Sequence, residues 1–81
     1  NINQENILLD EDLKFHKNFL YNLDKALNDN GHLMLFENIE FIPIPLILTL
    51  SKVSNYRLEL IDSGDVDRDT YWALYKKRGI F

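Results

Sequence analysis

The 81-residue sequence contains no cysteine. Disulfide staples and thiolate metal sites are therefore excluded, and a small fold without staples suits a reducing, cytoplasmic setting better than secretion. Glycine is scarce as well: Gly31, Gly64 and Gly79 stand far apart. That spacing excludes a G-x-G-x-x-G dinucleotide turn and a Walker A phosphate loop, and no G-x-S-x-G nucleophile elbow is present. Long apolar runs are missing. The longest, Phe41 to Leu50, carries both prolines and falls short of the ~20 residues that span a bilayer. The opening Asn1-Ile2-Asn3-Gln4-Glu5 has neither the basic nor the apolar region of a signal peptide. Basic charge is in deficit, with nine Lys and Arg against 13 Asp and Glu and a net charge of −4. Phosphate contacts need clustered Lys and Arg, so the chain alone is not expected to bind nucleic acid. Lys76-Lys77-Arg78 reads as a solvated tail.

What is present is ordinary for an ordered globular chain: 46% hydrophobic and 27% charged residues. The length allows one domain, and a domain of this size buries only about 60–65% of its unfolded surface. Residues 1–81 are therefore expected to form one small α/β domain, or the C-terminal part of a larger one.

Apolar residues at Leu13, Phe15, Phe19, Leu20, Leu23, Ala26 and Leu27 recur at helical spacing. The acidic run Asp10-Glu11-Asp12 suits the positive end of that helix, with Asp10 or Asp12 as N-cap. Asn28-Asp29-Asn30-Gly31 supplies a stop, since Asn and Gly accept the left-handed conformation. His32-Leu33-Met34-Leu35-Phe36 is then apolar on both alternating faces, the pattern of a strand buried on both sides. Residues 39–45 read as a loop holding Pro43 and Pro45, and Pro45 suits the first turn of a short apolar helix over Leu46, Ile47, Leu48, Leu50 and Val53, running to about Ser54. An extended Pro-rich recognition segment is the alternative. Asn55 reads as a helix cap and Tyr56 leads into a strand. Arg57 to Asp62 alternates polar and apolar residues, as a half-buried strand does; Ser63 to Asp69 is turn-rich; Thr70 to Lys77 is rich in aromatics and reads as a strand. The order is helix, strand, helix, strand, strand. It predicts a three-stranded mixed sheet in which the last strand runs antiparallel and slots between the other two.

Candidate chemistry is sparse. Asp65, Asp67 and Asp69 have the D-x-D-x-D spacing of a calcium loop, but Thr70 and Lys76 stand where that loop needs Gly and a bidentate Glu. A solvated hairpin loop is the better reading. His16 and His32 have no metal-ligand pattern around them and read as partly exposed residues at element edges. Tyr71, Trp72 and Tyr75 could stack bases, but packing of a central strand explains them more simply. No catalytic, cofactor-binding or metal-binding residue is assigned.

Two stretches carry a resemblance. The helix running through Ala26-Leu27-Asn28-Asp29-Asn30-Gly31 into His32-Leu33-Met34-Leu35-Phe36 resembles the segment of class I S-adenosylmethionine-dependent methyltransferases in which a helix ends at a Lys-Pro-Gly-Gly-like turn before the fifth strand. Here the Pro and the first Gly are absent. Ser54-Asn55-Tyr56-Arg57-Leu58-Glu59-Leu60-Ile61 is similar to the Ser-Gly-Phe approach to that family's sixth strand, with Asn55 for Gly and Tyr56 for Phe. Thr70 to Lys77 resembles its final antiparallel strand. The resemblance spans residues 10 to 78, and the spacing is similar to that of protein-glutamine and small-domain methyltransferases. It implies the C-terminal part of a Rossmann-like enzyme. The S-adenosylmethionine loop, the ribose-binding acid and the Asn-Pro-Pro-Tyr-type catalytic motif of that family precede the matched segment. The cofactor would thus belong to the parent enzyme, and this chain alone would be inactive.

In such sheets ligands bind beyond the carboxyl ends of the parallel strands. Glu37, Asn38, Asp65 and Asp67 are therefore expected at a substrate rim, as contacts and not as catalysts. The edge of residues 32–37 is expected to pair with an upstream part of the same protein or with a second copy, because an open strand edge is a liability. The competing reading is a small non-enzymatic interaction protein, possibly homodimeric through that edge or through the Leu46–Val53 helix.

Overall fold

A computed structural model describes residues 13–54 and 56–78. The elements are α1 (Lys14–Ala26), β1 (His32–Asn38), α2 (Ile44–Val53), β2 (Leu58–Asp65) and β3 (Thr70–Lys77). The expected N-caps Asp10 and Asp12, the segment leading to them and the Asn55 cap lie outside the described residues. None of the described helices is long and apolar enough to cross a membrane.

The sheet order is β1-β3-β2, with the last strand in the centre as the sequence predicts. Both pairings are antiparallel, which corrects the expectation of a mixed sheet. β1 and β2 share a direction, but β3 separates them and no parallel ladder forms.

Both helices pack on one face of this sheet. Leu20 and Leu23 of α1 and Ile47 and Leu50 of α2 meet Tyr56, Leu58, Tyr71, Ala73 and Tyr75 in one buried cluster. Each fully buried aliphatic side chain there contributes roughly 1.5–3 kcal/mol. Two of the three tyrosines in this cluster satisfy their hydroxyls there: Tyr56 donates to the Leu20 carbonyl and Tyr71 to the Ile42 carbonyl. The inward stripe of α1 is His16, Leu20 and Leu23, at helical spacing. Phe15, which the sequence places on the apolar side, is 67% exposed.

The other sheet face is uncovered among the described residues. Met34 and Phe36 of β1 are 49% and 61% exposed, beside half-buried Trp72 and Leu74 of β3. The register places Met34 across from Leu74 and Phe36 across from Trp72. This corrects the reading of β1 as buried on both sides: its residues are apolar on both faces, but the two helices cover only one.

Three local outcomes differ from expectation. α1 ends at Ala26, before the Asn-Gly stretch; Leu27 is already extended, and Asn30 takes the left-handed conformation with φ 69°. β2 runs on through Ser63, Gly64 and Asp65, past the predicted end at Asp62, leaving a four-residue loop of 66–69. The cause is the partner strand: Trp72 faces Gly64, and a Cβ there would lie 2.7 Å from its indole nitrogen. Aromatic cover of a strand glycine holds a segment that its own propensity would release. Finally, Lys77 is no solvated tail residue. It is 3% exposed, and its ammonium donates to the Asp24 and Leu27 carbonyls at 3.1 and 2.7 Å and meets the Asp24 carboxylate at 2.7 Å.

Candidate functional site

The shared direction of β1 and β2 brings their carboxyl ends to one end of the sheet, beside the start of β3. Tyr71 pairs with Glu37 on one side and Asp65 on the other. The four rim residues named from the sequence gather around this end, but their side chains do different things.

Glu37 is tied down. Its Oε2 lies 2.9 Å from His16 Nε2, and both side chains are largely buried, at 15% and 6% exposure. His16 comes from the first turns of α1, so the contact joins that helix to the end of β1. The signal for it was in the sequence as the spacing of His16 to Leu20 and Leu23, which puts the imidazole on the inward face. The expectation of a partly exposed His16 is corrected by that geometry.

Asn38 is a turn-former. Its Oδ1 accepts from the backbone N–H groups of Glu40 and Phe41 at 2.8 and 3.1 Å, and its carbonyl accepts from Ile42. This bends the chain from β1 to Pro43, which caps α2. Asp67 does the same in the 66–69 loop, accepting at 2.9 Å from the N–H groups of Asp69 and Thr70. Those two bonds hold its carboxyl below the usual carboxylate range.

Asp65 faces open space. It lines a pocket of about 250 Å³ with Ile39, Pro43, Ile44, Pro45 and Tyr71. The walls come from the 39–43 loop, the first turn of α2, the end of β2 and Tyr71 of β3; Pro43 caps α2 and Pro45 sits in its first turn, so the two prolines do not form an extended recognition segment. The wall is mostly apolar with one carboxylate. That suits a small apolar group carrying a hydrogen-bond donor.

Behind the pocket, the Tyr71 and Tyr75 hydroxyls lie on the covered face. Burial pushes Tyr75 up to about 12, and burial with the neighbouring Tyr75 also raises Tyr71. The Tyr75 hydroxyl is buried with no hydrogen-bond partner. Both phenols are therefore neutral near pH 7 and act as structure, not as bases.

The pocket at the strand ends is smaller than the roughly 300 Å³ at which small-molecule sites begin. Among the described residues no group of three His, Asp or Glu side chains could hold a metal ion. No family model, curated protein or solved structure matches the chain.

Proposed function

We propose that this chain is the C-terminal part of a S-adenosylmethionine-dependent methyltransferase, completing its sheet and forming one rim of the substrate cleft. The observation that carries the reading is the sheet order β1-β3-β2, with the last strand antiparallel in the centre. That is the arrangement the resemblance implies for the final three strands of a Rossmann-like methyltransferase. The uncovered face of Met34, Phe36, Trp72 and Leu74 and the outer edge of β1 supply a second support. A Rossmann-like sheet carries helices on both faces and further strands beyond this edge, so an upstream part would bury what is open here.

On this reading the substrate rim is the pocket at the carboxyl ends of β1 and β2. Asp65 touches substrate, Glu37 is positioned by His16, and Asn38 and Asp67 shape the two rim loops. The cofactor residues belong to the upstream part. Calorimetry of the 81-residue chain with S-adenosylmethionine should show no binding heat, and clear binding would overturn the assignment.

The open edge of β1 also favours a second reading, a homodimer joined strand to strand without enzymatic activity. Two antiparallel copies of His32–Asn38 centred on Leu35 would set Met34 of each opposite Phe36 of the other. Light scattering over a range of concentrations separates the readings: the dimer reading requires a mass near twice 9.6 kDa.

A further inference from the structure

A second concavity lies at the other end of the sheet, away from the rim pocket. It is a groove of about 500 Å³ between the last turns of α2 and the first half of β2. Leu48, Leu58 and Leu60 give it apolar walls and Lys52, Arg57 and Arg78 line it, against the single carboxylate of Glu59. The chain as a whole carries −4, so this groove concentrates the charge that the rest of the molecule lacks. Arg78 Nε lies 3.5 Å from Glu59 Oε1, and Lys52 pairs with no carboxylate among the described residues.

The groove runs along a strand edge that is open among the described residues. There β2 pairs with β3 alone, and the Arg57 carbonyl accepts from the Arg78 N–H at 2.8 Å. Ladder bonds alternate along an antiparallel strand. The peptide groups of Leu58 and Leu60 therefore point away from β3, into the groove. The β-bulge between Leu60 and Asp62 ends this regular stretch. The result is a short template with outward donors and acceptors, apolar walls and surplus positive charge.

We infer that this groove binds an extended acidic peptide segment, which adds to the outer edge of β2 as a further strand. The backbone of the segment pairs with Leu58 and Leu60, its apolar side chains rest on Leu48 and Leu60, and its carboxylates meet Lys52 and Arg78. Strand addition of this kind draws affinity from main-chain hydrogen bonds and selectivity from the alternating side chains. Charge complementarity selects the acidic peptide, because Lys or Arg there would face Lys52 and Arg78.

The test uses the 81-residue chain and a short capped peptide of alternating Glu and Val, followed through backbone amide NMR shifts. Shifts should centre on Leu58, Leu60 and Lys52. The Lys-for-Glu peptide should bind at least about tenfold more weakly. A Lys52→Glu, Arg78→Glu double variant should lose binding to a similar degree, with an unchanged circular dichroism spectrum showing that it folds. An N-methylated version of the same peptide, lacking the ladder donors, should fail on the unaltered protein, which removes any dependence on the variant's folding. Equal binding of the Lys and Glu peptides, shifts centred elsewhere, undiminished binding of the N-methylated peptide, or the same amide shifts from inorganic phosphate alone would each overturn the inference.

Discussion

At the scale of single residues, Lys77 shows how a side chain that looks solvated becomes structural. Alternation along β3 places it on the helix-covered face, beside Tyr75 and Ala73, where a charge is costly unless it is satisfied. The last turn of α1 supplies carbonyls that have no partner of their own, and Lys77 bonds two of them from a different element. Lys77→Met should therefore destabilise the fold by about 2 kcal/mol, the scale of hydrogen bonds to a charged donor; urea denaturation measures it. Added salt should reproduce little of the loss, because the carbonyl bonds are buried and short. The tyrosines give a prediction in pH. Burial raises Tyr56 and Tyr75 from 10.0 to about 12 in the folded state. A raised folded-state value means that the folded state holds its proton where the unfolded state releases it. The stability this contributes is complete below pH 10.0 and falls away as pH climbs toward about 12. Urea midpoints at stepped pH should drop across that window, and a flat profile would contradict the buried placement of both phenols.

At the scale of elements, the pairing of β2 with β3 explains both what the sequence revealed and what it hid. β3 was legible in full, because Thr70 to Lys77 is rich in β-branched and aromatic residues, and the structure keeps those same bounds. The end of β2 was not legible: Ser63, Gly64 and Asp65 have low strand propensity and are held by their partner. Gly64→Ala brings a Cβ to 2.7 Å from Trp72 Nε1 and should cost about 1–3 kcal/mol, the range for overpacking. Trp72 is the chain's only tryptophan, so its fluorescence should shift with the same substitution and report the displacement directly. The candidate site was legible in a similar mixture. The convergence of Glu37, Asn38, Asp65 and Asp67 at one end followed from element order alone. Their individual roles did not. The His16 bond to Glu37 joins positions 21 apart in sequence, and turn-capping by Asn38 and Asp67 depends on loop bounds that propensity does not set.

At the scale of the whole molecule, the sheet has one packed face and, among the described residues, one open face. Met34, Phe36, Trp72 and Leu74 present an apolar stripe, and exposed stripes of this kind mark interaction surfaces. A Met34→Lys, Phe36→Lys variant should leave thermal stability within about 1 kcal/mol, because surface changes away from packed features cost little. It should also suppress any concentration-dependent association seen by sedimentation; loss of the folded state would contradict the exposure of both side chains. Asymmetry runs along the sheet as well. The carboxyl ends of β1 and β2 hold a small apolar pocket with Asp65 in its wall, and the opposite end holds the cationic groove. The rim and the groove can therefore be tested independently.

The proposed place of this sheet in a methyltransferase, with the cofactor site upstream of it, is tested by photo-crosslinking of tritiated S-adenosylmethionine to the protein isolated from its native source with an antibody raised against the described sheet. The account predicts label on a polypeptide larger than 9.6 kDa, with the labelled peptides mapping outside residues 13–78. A native protein of 9.6 kDa that takes up no label would contradict it.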